Sequence, residues 1–196
     1  MYRAVLDTCV LVPDLQRDFL LQLAAEEAYT PLWGTGILHE LDYVLAALAQ
    51  RRRLAADSER RRHLFDRMRE AFPGALIDAP KSDDANPYGL NDPGDSHVAH
   101  AAIIGKADAI VTDDRRAGFR AAPALIAAHI DVLHPHEFAA HTVAAYPIAG
   151  LRAVRALSVR RNVVVADILD VLRVRYGMVE AAALISAARA VVGCAG

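Results

Sequence analysis

The sequence predicts an α/β fold built on a mostly parallel sheet, and three observations predict it. Short apolar runs alternate with segments of helical period through most of the chain. One of these runs, Ala107 to Thr112 (ADAIVT), follows a helix and is short and apolar, as a strand covered on both faces must be. The runs also end on acids, at the carboxyl end of a strand, where open α/β sheets build their sites.

Taken in order, Arg3 to Leu6 (RAVL) reads as the first strand and ends on Asp7, followed by a helix from near Pro13 to about Glu27. Tyr29 to Trp33 reads as a second strand. Thr35 then caps a helix whose apolar face is Leu38, Leu41, Leu45 and Leu48, with Glu40 beside that face, stacked with Ile37 and Val44. Asp57 or Ser58 caps a further amphipathic helix, with Leu64, Met68, Ala71 and Phe72 inward and Arg60, Arg61, Arg62, Arg67 and Arg69 outward. Such a charge run is most simply a solvated face, and secondarily a track for a phosphate backbone. Pro73-Gly74 stops this helix, Ala75 to Asp78 reads as a third strand, and Ala79 to Leu90 is a polar loop with Pro80, Asn86 and Pro87.

The central stretch is NDPGDSHVAHAAIIGKADAIVTDDRRAGF, Asn91 to Phe119. Pro93 suits a first helical turn, so Asp92 is the N-cap and Asp95 lies one turn in, ahead of a buried stripe of Val98, Ala99, Ala102 and Ile103. Asp113 and Asp114 close the strand that follows. The plain structural reading is that Asp92 and Asp95 favour the helix dipole, by a few tenths to about 1 kcal/mol each, and that Asp113-Asp114 is a turn. Ile130 to Leu133 is a final strand and Pro135-His136-Glu137 opens a helix. From about Ala139 the chain is helical, with Val165, Ile168, Leu169 and Leu172 on one face, Gly177 as a C-cap, and Ala181, Leu184, Ile185, Ala188 and Val192 inward on the last helix. This tail is too small for a core of its own and must pack on the α/β body, a second copy or another protein.

Composition narrows the classes. The 196 residues hold one core of ordinary domain size, and a chain 54% hydrophobic and 23% charged is not a disordered one. A net charge of −2 gives no bulk attraction to nucleic acid, so such binding must rest on local basic patches. Cys9 and Cys194 have no metal spacing, which suits a reducing cytoplasm. Met1-Tyr2-Arg3 runs straight into a strand, which predicts no signal peptide. No apolar run reaches membrane-spanning length without a charge, since the last helix carries Glu180 and Arg189.

Four separated acids then need one explanation: Asp7, Glu40, Asp95 and Asp114. Carboxylates gathered at one sheet end cannot all stay ionised without a counter-charge, and a hard divalent cation with oxygen ligands, Mg2+ or Mn2+, supplies it. Such an ion activates water and stabilises the leaving oxygen of a phosphodiester.

LDT-CVL at the start, HEL in the second helix, DPGDSHVAHAA and VTDDR resemble the PIN-domain nucleases, in particular the toxin subunits of VapBC toxin-antitoxin pairs, over about residues 1 to 138. Each motif is short; the four in this order are more specific. The resemblance implies a PIN-like three-layer α/β/α sandwich over residues 1–138, with 139–196 as a helical C-terminal extension. It also implies a cytoplasmic endoribonuclease using Mg2+ or Mn2+, an RNA substrate, a cognate antitoxin that blocks the site, and a homodimer. Residue by residue it puts Asp7, Glu40, Asp95 and Asp114 in the metal-binding, catalytic quartet. Asp92 and Asp113 are adjacent auxiliaries, and Thr112 matches the small hydroxyl residue before the last acid. Cys9 departs from the Asn or Ser common there, which puts one supporting hydrogen bond in question. Arg115 and Arg116 are placed to meet substrate phosphates, or else form an exposed turn.

Competing readings are weaker. A haloacid-dehalogenase-type phosphatase needs a second Asp where Cys9 stands, and no G-x-G-x-x-G follows the first strand. His97 and His100 are three apart on a helix but lack a third zinc ligand, and Ser/His/Asp catalysis has no nucleophile elbow. The rival of another class is a PIN-fold RNA- or partner-binding module with little or no cleavage.

Overall fold

The computed structural model describes residues 1–51, 57–81 and 87–193; Asn86, Cys194 and the side chain of Asp57 lie outside the described residues. In chain order the elements are β1 (Arg3–Leu6), α1 (Thr8–Leu11), α2 (Asp14–Ala25), β2 (Thr30–Gly34), α3 (Thr35–Arg51), α4 (Asp57–Ala71) and β3 (Leu76–Ile77). There follow a 3-10 turn (Pro93–Asp95), α5 (Ser96–Ile104), β4 (Ala109–Val111), a second 3-10 turn (Phe119–Ala121), α6 (Pro123–Ala127) and β5 (Asp131–Leu133). The chain ends with α7 (Pro135–Ala145), α8 (Pro147–Arg161), α9 (Val165–Tyr176) and α10 (Val179–Gly193). The expected α/β/α class, a mostly parallel five-stranded sheet with a helical C-terminal extension, is what the chain adopts.

Contacts divide the chain into two compact units, Tyr2–Val12 with Pro31–Val132, and Met1 with Pro13–Thr30 and Leu133–Gly196. The first holds the sheet, in the order β3-β2-β1-β4-β5. β1 and β4 run parallel with Ala4 opposite Ala109 and Leu6 opposite Val111. The Asp7 amide donates to the Val111 carbonyl at 3.1 Å, so the ladder runs one step past the strand and delivers Asp7 and Thr112 to the same carboxyl end. α5 packs on both strands. Its buried residues include Ala99, Ala101 and Ala102, whose small side chains let helix and sheet approach closely. Trp33 on β2 is fully buried and meets Phe72 edge-on, ring centroids 6.0 Å apart.

Where structure and expectation differ, the differences are local. The second strand sits one residue later, the strands are shorter, and α1 and α6, of four and five residues, are too short to carry a helical period. On α3 the buried stripe is Ile37, Leu38, Leu41 and Ala49, with Leu45 and Leu48 half-buried. On α4 only Met68 is fully buried; Ala71 is exposed, and Arg61 is half-buried against Asp42 at 2.7 Å.

In the second unit α10 packs on α7, α8 and α9, and α2 on α8 and α9, so the tail shares its core with a helix from early in the chain. The Tyr29 hydroxyl donates to the Leu20 carbonyl at 3.0 Å and its ring meets Phe138 edge-on at 4.7 Å. Arg161 pairs with Asp18 at 2.7 Å. Gly177, with φ of 66°, ends α9 as expected, while Val192 is 40% exposed, not inward. At the start of α7 the His134 amide donates to Glu137 Oε2 at 2.9 Å, half of a capping box. Glu137→Ala is therefore expected to lower stability by about 1 kcal/mol, read as a shift of the urea midpoint at unchanged slope.

Candidate functional site

The site begins where β1 hands over to α1. Asp7 is the N-cap of α1, its Oδ1 accepting from the Thr8 amide at 2.6 Å. Its Oδ2 accepts from the Thr112 hydroxyl at 2.6 Å, from the neighbouring strand end, and has the Cys9 thiol at 3.3 Å. The helix-cap reading and the site reading of Asp7 thus describe two oxygens of one carboxyl. At 7% exposure its charge is costly. Burial raises its pKa, the bonds from Thr112, Cys9 and Thr8 oppose the rise, and the charge of Glu40 adds to it. Cys9 fills the place of an amide or hydroxyl: its sulfur also lies 3.4 Å from Thr112 Oγ1 and accepts from the Asp113 amide at 3.3 Å. Burial, then the charge of Asp7, push this thiol up to about 12, so it stays protonated.

Thr112 does a second job. Its Oγ1 accepts from the Asp114 amide at 2.9 Å, fixing the turn after β4. Asp114 Oδ1 in turn accepts from the amides of Arg116 at 2.6 Å and Ala117 at 3.2 Å. Asp113, Arg115 and Arg116 are exposed. The turn reading of Asp113-Asp114 is correct as local structure, and that turn holds Asp114 at the strand end beside Asp7.

Glu40 reaches the same end from α3. Its Oε2 accepts from the Thr8 hydroxyl at 2.9 Å and lies 3.6 Å from His97 Nε2, an ion-pair separation too long for a hydrogen bond. Its Oε1 pairs with Lys81 Nζ at 3.3 Å. The His97 imidazole foremost, then Thr8 and Lys81, hold its pKa at about 2 against the opposing effect of burial. Thr8 therefore ties two acids together, its amide to Asp7 and its hydroxyl to Glu40.

The segment before α5 differs from expectation in detail. Asp92 is an N-cap, accepting from the Gly94 amide at 2.9 Å, but it caps the 3-10 turn Pro93–Asp95; the α-helix starts at Ser96. Asp95 is therefore not one turn inside the helix but at its N-cap, with no side-chain cap bond. Burial, then the charges of Asp7, Asp92 and Asp114, push its pKa up to about 6 from an ordinary 3.8.

A raised carboxyl pKa means that the folded state holds the proton more tightly than the unfolded one. The stability this group contributes is then present at low pH and lost as pH rises through about 6. Asp95→Asn is accordingly expected to raise the melting temperature at pH 7.5, by about 1 kcal/mol after allowing for solvent screening at this half-exposed carboxyl, and to leave it unchanged at pH 5. An equal gain at both values would contradict this origin.

Asp7, Glu40, Asp95 and Asp114 thus share one acidic field, with Asp92 at its edge. As they stand, no three His, Cys, Asp or Glu among the described residues are close enough to hold a metal ion together. The carboxylates repel one another and are each turned to separate donors, Asp7 to Thr8 and Thr112, Asp114 to the turn amides, Glu40 to Lys81 and Thr8. Sequence reasoning missed Thr8 and Lys81 and set His97 aside. Thr8 follows Asp7 directly, at a helix start where a hydroxyl is informative, and His97 lies two residues after Asp95; nothing near Lys81 marks it.

A strand-end cluster of acids on a mostly parallel sheet defines the class, an α/β protein with a charged site at one end of its sheet. A family model described as PIN domain matches residues 3–116, more than half of the chain, and the chain belongs to that family. PIN domains are in general nucleases that bind nucleic acid. No curated protein and no solved structure matches it. Among the described residues no helix is long and apolar enough to cross a membrane.

Proposed function

We propose that the chain is a Mg2+- or Mn2+-dependent endoribonuclease of the VapC type, the toxin of a toxin-antitoxin pair, with residues 1–138 as nuclease domain and 139–196 as extension. Asp7, Glu40, Asp95 and Asp114 are its catalytic carboxylates. What carries the reading is the shared field of Asp7, Asp92, Asp95 and Asp114, which raises Asp95 to about 6 and asks for a cation. The donor set suits a hard divalent ion, all oxygens apart from one orphaned buried nitrogen, His97 Nε2.

A bound ion would supply an activated water and charge neutralisation at the leaving oxygen. The chain's own groups do the rest. Asp7, Asp95, Glu40 and Asp114 hold the charge that positions the ion, and Thr8, Thr112 and the auxiliaries Asp92 and Asp113 fix their orientation. Arg115 and Arg116, exposed beside Asp114, bind the flanking phosphates of single-stranded or structured RNA and align one phosphorus for in-line attack. Water adds to phosphorus, the bond to the 3′ oxygen breaks, and that oxygen leaves as a hydroxyl. A cognate antitoxin covering the acidic field, a homodimeric assembly and a cytoplasmic setting belong to the same proposal.

The second reading, an RNA- or partner-binding module with little or no cleavage, is favoured by the absence of a ready three-ligand group among the described residues. Incubation with total RNA and mapping of the ends separates the two. The proposal expects cuts with 3′ hydroxyl termini that require Mg2+ or Mn2+, and growth arrest on expression that Asp7→Asn relieves. Arrest that survives Asp7→Asn, with no cuts, would establish the binding module.

A further inference from the structure

His97 is the one imidazole in the acidic field, and its surroundings are unusual for a core histidine. The side chain is fully buried. Its Nδ1 lies 3.0 Å from the Gly94 carbonyl, a group that can only accept, so Nδ1 carries a proton there. In the neutral ring this leaves Nε2 with a bare lone pair. That atom is buried, has no hydrogen-bond partner among the described residues, and faces Glu40 Oε2 across 3.6 Å. A buried lone pair aimed at a carboxylate is unfavourable unless something positive stands between them.

The ring is also held in place for that purpose. A Cβ on Gly36 would come within 2.8 Å of His97 Cδ2, so glycine at the start of α3 leaves the space the imidazole fills. An imidazole with one nitrogen donating to a backbone carbonyl and the other pointing at a carboxylate is the arrangement that fixes tautomer and ring orientation in metal-binding histidines. Two bonds of about 2.1 Å to a single ion span 3.6 Å without strain.

We propose that His97 Nε2, beside Glu40, is a ligand of the divalent cation, and that this nitrogen makes the site prefer a transition-metal ion such as Mn2+ over Mg2+. Mg2+ strongly favours oxygen donors and dehydrates reluctantly, whereas a borderline ion gains from imidazole. The inference rests on the metal-dependent reading above and adds the identity of the ion to it.

The test uses the full chain and MnCl2. Electron paramagnetic resonance counts bound Mn2+, and pulsed measurements read nitrogen coupling from a ligated imidazole. Nitrogen modulation is expected in the native protein. In His97→Gln it should vanish, with Mn2+ affinity down tenfold or more and Mg2+ affinity, from competition, changed less than about threefold. Bound Mn2+ without nitrogen modulation, or modulation that persists in His97→Gln, overturns the assignment while leaving the nuclease reading intact. No bound Mn2+ at millimolar concentration removes both. The native spectrum alone decides should the variant not fold.

Discussion

Asp7→Asn should separate stability from activity. Cleavage is expected to fall by at least a hundred- to a thousandfold, the order seen when one preorganised electrostatic group is lost. The melting temperature at neutral pH should rise at the same time. Asp7 is buried and its pKa is raised, so its ionised form opposes folding once pH exceeds that raised value, and an uncharged isostere removes the opposition. The hydrogen bonds survive the change: the amide oxygen keeps the Thr8 N–H, and the new N–H2 faces Thr112 Oγ1, which has lone pairs to accept it. A gain of about 0.5–2 kcal/mol is typical when a site residue held for function is relaxed. Scanning calorimetry and an RNA cleavage assay on the same preparation check both halves. A less stable, inactive variant would mean that Asp7 is a structural cap first.

Gly36→Ala should do the opposite and damage both. In an open helix the change would favour folding by up to about 1 kcal/mol. Here the new methyl would meet the Lys81 amide nitrogen at 2.8 Å, the Ala79 carbonyl oxygen at 2.9 Å and the His97 ring at 2.8 Å. Two of the three are backbone and cannot rotate away, and overpacking of this kind costs about 1–3 kcal/mol. The clash outweighs the propensity, so a net loss is expected in urea unfolding. Because the groups pushed aside are those that flank Glu40, cleavage should fall with it. A more stable Gly36→Ala would contradict the close packing of α3 on the 79–81 segment.

How far the site was legible in the sequence follows from the range of each interaction. Asp7 and Asp114 are visible because a short apolar run followed by an acid is a local pattern, and a parallel sheet places both at one end. Glu40 is visible as a carboxyl beside an apolar helical face. Thr8 and Lys81 are not, because what gives them meaning is Glu40, which lies 32 and 41 residues away. Asp95 was placed in the right turn but inside the wrong helix: Pro93 signals a helical start, and the signal does not distinguish a 3-10 turn from an α-turn. The tail was read as needing a partner for its apolar faces. That α2 helps supply one is a contact between distant segments that no local period encodes.

The reading as a whole turns on whether a cation draws the dispersed carboxyls together. Crystals soaked in MnCl2 and measured at the manganese absorption edge test this most directly. The account predicts an anomalous peak bounded by Asp7, Asp95, Glu40 and Asp114, with their oxygens turned from their present donors toward it. A clean map at millimolar Mn2+, or manganese bound only elsewhere on the surface, would contradict it.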